Sequence, residues 1–231
     1  KNNVENIEWG GDVHLPYDSF ETVKKIKELT ACNKINNISY GSYYVVGEKD
    51  YQKFSKICEV ASIIGAKIVR VWLGKKGSQN TSDIEVNDYC LEVVQLCKIA
   101  QEFELIVASE FHNNTFNDSG QSAVSFIKKV NVANLMTMWQ PLGNDKVDIN
   151  NLIEVMPYLC EVHIFNWDSN NRRKPLAKGK DKWLSFFEII SKYTQCAQEK
   201  IELNFVLEFV KGNSARAFKQ DVKTLKSWCL Q

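Results

Sequence analysis

Seven short apolar runs alternate with longer amphipathic stretches along the chain. The runs are rich in aliphatic and aromatic residues and cover positions 6–11, 37–44, 67–74, 104–112, 134–141, 160–168 and 201–210. Between them, apolar side chains recur every three or four residues, as in residues 20–31 and 51–65, which is the spacing of an amphipathic helix. Strands that alternate with helices at intervals of about 30 residues are typical of βαβ units and a parallel sheet.

The number of these units indicates a barrel. No linker or low-complexity segment interrupts the series, so the pattern predicts a single domain over residues 1–231. Seven β/α units are one fewer than a (β/α)8 TIM barrel contains, and about 250 residues is typical of that fold. We therefore predict an α/β chain that forms the second to eighth units of a TIM barrel, with the first β/α unit missing. A seven-unit sheet or an irregular barrel is the alternative.

Composition narrows the possible partners. The formal net charge of +1 lacks the basic excess typical of proteins that bind nucleic acid. No apolar run reaches the roughly 18–20 residues that a membrane-spanning helix needs. The seven cysteines contain no CxxC pair, which favours reduced thiols and a cytoplasmic location. We expect a small-molecule partner, and no pattern predicts the oligomeric state.

Three of the apolar runs carry an ionisable side chain near their carboxyl ends. These side chains are Glu110, His163 and Glu208, and Gln140 occupies the equivalent place in a fourth run. Burying a lone carboxylate costs several kcal/mol, so each glutamate needs a partner. Because active sites of TIM barrels lie at the carboxyl ends of the strands, we expect the four side chains to converge. Such a set of oxygen and nitrogen ligands suits Mn²⁺, Mg²⁺, Co²⁺ or Zn²⁺.

Five motifs mark the ends of the predicted strands. They are EWGGDVHLP (8–16), GAKIVRVWLG (65–74), SEFHNNT (109–115), VHIFNWD (162–168) and LEFV (207–210). Their order and spacing resemble the sugar phosphate isomerase/epimerase family, which belongs to the xylose isomerase-like TIM barrel superfamily. The resemblance runs from about residue 5 to the C-terminus and covers the second to eighth β/α units.

The resemblance implies a divalent metal ion held by Glu110, Gln140, His163 and Glu208. The family's pattern has an aspartate where Gln140 stands and a histidine where Gly143 stands. A neutral amide oxygen binds hard cations more weakly than a carboxylate does. We therefore expect the metal affinity of this chain to be low or lost.

The chemistry that the resemblance implies is proton transfer next to the carbonyl group of a sugar or sugar phosphate. The metal would stabilise the charge of an enediolate, and Glu110 and Glu208 would act as base and acid on opposite faces. A carbohydrate-binding protein without catalytic activity is the alternative. A relationship to DNA-repair endonucleases of the same superfamily is disfavoured, because their zinc site needs many histidines and this chain has three.

Further side chains at strand ends or in a basic loop are candidate substrate ligands. They are His14, Trp72, His112 and Arg173. His14 follows a Gly-Gly pair, which allows the backbone to approach a ligand closely, and Glu8 precedes the same pair. Aromatic rings such as that of Trp72 commonly stack on sugars. Arg173 lies in the basic segment 171–183, where it would hold a phosphate or carboxylate group; a solvated surface loop is the alternative for this segment.

Overall fold

The computed structural model describes residues 4–197 and 202–229, which form seven strands that alternate with seven α-helices. The strands are β1 (Asn6–Gly10), β2 (Asn36–Val46), β3 (Ile68–Leu73), β4 (Ile106–Glu110), β5 (Leu135–Trp139), β6 (Leu159–Ile164) and β7 (Asn204–Leu207). The helices are α1 (Phe20–Asn33), α2 (Tyr51–Ile64), α3 (Asp83–Glu102), α4 (Gly120–Val130), α5 (Asp145–Val155), α6 (Lys180–Cys196) and α7 (Ala215–Cys229). None of the helices in these ranges has the length and apolar content that a bilayer crossing requires.

The strands form one parallel sheet in the order of the sequence. Each strand pairs with the strand before it and the strand after it, from β1 to β7. Within the described ranges, the two edge strands β1 and β7 do not pair with each other. A parallel sheet in this order, with a helix after each strand, is the architecture of a TIM barrel and confirms the predicted fold class.

On one face of the sheet, an apolar layer of side chains is followed by a polar layer nearer the carboxyl ends of the strands. Side chains two residues apart on a strand face the same side. Ile68 of β3 packs in a cluster that includes Ala108 of β4 and Met138 of β5. The next positions on the same side of β3 are Arg70 and Trp72, toward the carboxyl end. The apolar layer therefore supports polar side chains that lie nearer the carboxyl ends.

Three buried aromatic rings fix α6 against the sheet. Trp139 ends β5, and Trp183 and Phe186 lie on the buried face of α6. Their ring centroids are 5.0–6.5 Å apart in edge-to-face geometry, which adds to the stabilisation from burial. The indole nitrogen of Trp183 also donates to the carbonyl oxygen of Phe165, at 2.8 Å. This contact ties α6 to the chain that follows β6.

A buried carboxylate holds the loop between β2 and α2. Glu92 of α3 is 1% exposed and accepts hydrogen bonds from the Tyr44 hydroxyl at 2.8 Å and the Gly47 amide at 2.6 Å. The amide of Lys49 donates a third hydrogen bond, at 2.9 Å. Hydrogen bonds to an ionised acceptor are stronger than neutral ones. The network therefore anchors the carboxyl end of β2 to a helix of the outer ring.

Replacing Glu92 by glutamine is expected to lower the free energy of unfolding by about 1–3 kcal/mol. The carboxamide would turn an NH₂ group toward buried N–H or O–H donors, and at least one donor would lose its acceptor. Urea denaturation of the two proteins measures the difference. Glu102→Gln, at the exposed end of the same helix, is the matched control and should change stability by less than about 0.5 kcal/mol. Equal effects of the two substitutions would show that the Glu92 network contributes nothing specific.

Candidate active site

A cleft of about 1070 Å³ opens at the carboxyl ends of the strands. Glu110 is the last residue of β4, Gln140 directly follows β5, and Glu208 directly follows β7. All three line the cleft, whereas His163 of β6 is fully buried. The polar side chains that the sequence places at strand ends therefore lie at the end of the barrel where TIM-barrel active sites are found.

The four predicted side chains meet around the imidazole ring. His163 Nδ1 is 3.5 Å from Glu110 Oε1 and 3.5 Å from Glu208 Oε2. Gln140 Nε2 lies 3.3 Å from Glu110 Oε1. Two carboxylates thus lie equally close to one buried ring nitrogen, and the carboxamide contacts one of them.

Three residues outside the predicted metal set complete the polar cluster. Arg70 is 5% exposed, and its guanidinium lies 3.4 Å from Glu110 Oε2 and 3.6 Å from Glu8 Oε1. The indole nitrogen of Trp72 donates a hydrogen bond to Glu110 Oε2. Sequence reasoning did not assign Glu8 or Arg70 to the site. The signals for them were a glutamate inside the first predicted strand and an arginine two residues before Trp72.

The two candidate proton-transfer groups have different environments. Burial opposes ionisation of Glu110, but Arg70 and then His163 outweigh burial and lower the pKa of its carboxyl to about 2. Burial raises the pKa of Glu208 above its ordinary value. Burial also disfavours the charged form of His163, but Glu208, Glu110 and Glu161 raise its pKa well above the ordinary value. The carboxyls therefore differ in proton affinity, as the acid and base of a proton transfer do.

Aromatic side chains form part of the cleft wall. The rings of Trp72 and His112 are stacked, with centroids 5.1 Å apart, and both residues line the cleft. His14 also lines it, with 72% of its side chain exposed and Asp12 at 4.0 Å. Three of the four predicted substrate ligands therefore face the same cavity as the carboxylates.

The basic segment 171–183 lines the cleft with two lysines and not with Arg173, the residue predicted as a substrate ligand. Arg173 is outside the cleft lining, because its guanidinium lies over the Phe209 ring at 5.1 Å and donates to Asn213 Oδ1 at 2.5 Å. Lys178 and Lys182 of the same segment line the cleft instead. Phe209 also lines the cleft, so Arg173 contacts a residue of the cleft wall.

Comparisons with known proteins identify the fold. No family model matches the sequence. A 3-dehydroshikimate dehydratase from Bacillus anthracis is 24% identical over 251 residues, which cover 97% of this chain and 88% of the relative. The crystal structure of a D-tagatose 3-epimerase-like protein matches with a TM-score of 0.78 at 11% identity, over 99% of this chain and 89% of that one. A xylose isomerase-like TIM barrel protein from Mycobacterium smegmatis, crystallised with magnesium, matches with a TM-score of 0.73 at 15% identity, over 97% and 83%. This chain has the TIM-barrel fold of these proteins.

The donor atoms at the end of this TIM barrel fit a divalent cation. His163 Nε2 lies 3.2 Å from Glu161 Oε1, while Nδ1 is buried and has no hydrogen-bond partner in the described part of the chain. When a carboxylate accepts the proton of one ring nitrogen, the other nitrogen of a neutral imidazole keeps its lone pair for a metal. That nitrogen faces Glu110 and Glu208. Oxygen and nitrogen donors of this kind suit Mn²⁺, Mg²⁺, Co²⁺ or Zn²⁺.

Proposed function

We propose that this protein is a metal-dependent enzyme that removes a proton next to the carbonyl group of a small hydroxylated substrate, such as a sugar or sugar phosphate. The observation that carries the proposal is the pair of carboxylates, Glu110 and Glu208, that line one open cleft and each lie 3.5 Å from His163 Nδ1. Proton removal from carbon and proton return need two such groups, one at each face of the substrate.

The residues of the cluster take separate roles in this proposal. Glu110 and Glu208 transfer protons, and they hold the cation together with His163. Arg70 and the Trp72 indole keep the Glu110 carboxylate ionised and in place. A bound divalent cation would supply Lewis-acid stabilisation of the negative charge that develops on the substrate oxygen. His14, Trp72 and His112 contact the substrate in the upper part of the cleft.

Two reactions share this first step. If the proton returns to the opposite face, the product is an epimer or isomer, which is the chemistry that the sequence motifs imply. If a hydroxyl group on the neighbouring carbon leaves instead, the product is a dehydrated compound. The B. anthracis relative is a dehydratase and the D-tagatose 3-epimerase-like structure has the same fold, so both outcomes belong in the test.

Hydrogen exchange at carbon and analysis of the product together test the proposal. The protein is incubated in D₂O with Mn²⁺ and either 3-dehydroshikimate or a ketohexose such as D-tagatose, and deuterium next to the carbonyl is followed by NMR. We expect either deuterium at that carbon together with an epimerised or isomerised product, or a dehydrated product formed with release of water, at a rate well above that of the buffer.

A carbohydrate-binding protein without catalysis is the second candidate. It is favoured by Gln140, whose amide nitrogen rather than its oxygen faces Glu110. Substrate binding in calorimetry with neither deuterium incorporation nor a dehydrated product would support this candidate and contradict the enzyme.

A further inference from the structure

Gln140 is turned so that a donor faces the cluster. Its Nε2 donates to the carbonyl oxygen of Phe111 at 2.8 Å, and the same nitrogen lies 3.3 Å from Glu110 Oε1. Because the Phe111 carbonyl can only accept, the amide nitrogen must stay on this side. A carboxamide ligand presents its oxygen to a cation. Gln140 therefore acts as a hydrogen-bond donor to Glu110, and one position of the predicted ligand set lacks its donor atom.

Glu8 is held so that one carboxylate oxygen points into the cluster. Its side chain is 7% exposed, and Ser39 Oγ donates to Glu8 Oε2 at 3.1 Å. The other oxygen, Oε1, lies 3.9 Å from His163 Nε2 and 3.6 Å from the Arg70 guanidinium. Gly41 leaves the room for this arrangement, since a Cβ atom there would lie 3.1 Å from Glu8 Oε1 and 3.1 Å from Arg70 Nη2.

A possible metal site is formed by Glu8, His163 and Glu208, whose ligand atoms all lie within 4.8 Å of one another. Among the acidic, histidine and cysteine side chains of the described ranges, this is the one group of three or more that meets this distance. They come from β1, from β6 and from the residue after β7. The composition of the cluster agrees with a cation at this point, because four carboxyl groups, those of Glu8, Glu110, Glu161 and Glu208, lie beside two basic side chains, Arg70 and His163.

From these contacts we infer that Glu8, and not Gln140, completes the metal site. The inference rests on the proposed function only in requiring a metal at this cluster. It has a consequence for stability, because β1 and β7 are the two edges of the sheet and do not pair with each other in the described residues. An ion held by Glu8, His163 and Glu208 connects these two edges. Metal binding therefore stabilises the barrel through Glu8.

Titration of Mn²⁺ into metal-free protein tests the assignment. The wild type, Glu8→Gln and Gln140→Met are each titrated by calorimetry, and their thermal midpoints are measured with and without saturating Mn²⁺. We expect Glu8→Gln to weaken Mn²⁺ binding by at least about 10-fold, the lower bound for losing even an outer-shell partner, and to lose most of the metal-induced rise in Tm. Gln140→Met should stay within about threefold of the wild type.

The outcomes separate the inference from the proposed function. The inference would be overturned if Gln140→Met lost Mn²⁺ affinity while Glu8→Gln kept it. In that case, exchange activity in the wild type would still support the proposed function. A folded wild type that binds no Mn²⁺ and exchanges no proton would overturn both. If Glu8→Gln does not fold, Ser39→Ala keeps Glu8 but removes the donor that orients it, and should weaken Mn²⁺ binding about threefold or more. Unchanged affinity in that variant would overturn the inference.

Discussion

Replacing Glu208 by glutamine is expected to lower the rate of the proposed reaction by about 10²–10⁴-fold. Glutamine keeps the size and shape of the side chain but cannot accept or return a proton. Glu208 Oε2 is 3.5 Å from His163 Nδ1, and the side chain is 21% exposed toward the cleft. Because the substitution leaves no new cavity, we expect the protein to stay folded. The rate of deuterium exchange next to the substrate carbonyl measures the effect.

Two precautions make the Glu208 result specific to proton transfer. The exchange rate is compared at saturating Mn²⁺, since loss of a carboxylate also weakens metal binding. Glu188→Gln, an exposed position on the outer helix α6, is the matched control and should keep the wild-type rate. If Glu208→Gln exchanges protons within about tenfold of the wild type while Mn²⁺ is saturating, Glu208 is not one of the two proton-transfer groups.

Replacing Arg70 by methionine is expected to lower the free energy of unfolding by about 3–5 kcal/mol in metal-free protein at neutral pH. Arg70 lies between two carboxylates, Glu8 at 3.6 Å and Glu110 at 3.4 Å, and all three side chains are less than 8% exposed. Methionine fills a similar volume but leaves both carboxylates buried without this charge. Urea denaturation in the presence of EDTA measures the loss.

The loss of stability in Arg70→Met is expected to decrease as the pH falls. In the wild type the pKa of Glu110 is about 2, below the value of about 4.3 of an unfolded glutamate. Its ionised form therefore stabilises the wild type above the unfolded pKa, and this contribution is lost as the pH falls toward 2. The difference between wild type and Arg70→Met should be largest above about pH 5 and shrink on acidification. Arg70→Lys, which keeps the charge, should lose less stability than Arg70→Met.

Saturating Mn²⁺ provides a second check on the Arg70 cluster. A cation that binds only the folded protein adds stability that rises with the logarithm of its concentration relative to its Kd. Mn²⁺ should therefore recover part of the stability that Arg70→Met loses, because it replaces a positive charge beside the same carboxylates. An Arg70→Met protein as stable as the wild type at neutral pH would show that the two carboxylates are not held by Arg70.

The sequence by itself determined the elements and the end of the barrel at which the chemistry lies. Each predicted apolar run overlaps one strand, because burial between helices and neighbouring strands selects continuous apolar segments. The position of Glu110, Gln140 and Glu208 late in their runs then placed them at the carboxyl ends of the strands, where they line one cleft. The apolar runs and the position of a polar residue within a run are local properties of the chain, so the sequence alone is enough to predict them.

Only the tertiary structure decided which polar atoms face one another. The Phe111 carbonyl fixes the orientation of the Gln140 amide, and the Phe209 ring and Asn213 draw Arg173 away from the cleft. Glu8 approaches His163 and Glu208 because the sheet brings β1 near β6 and the end of β7. Such contacts join residues far apart in the chain, and their distances depend on how the curved sheet closes. The spacing of residues along the sequence therefore does not predict these distances.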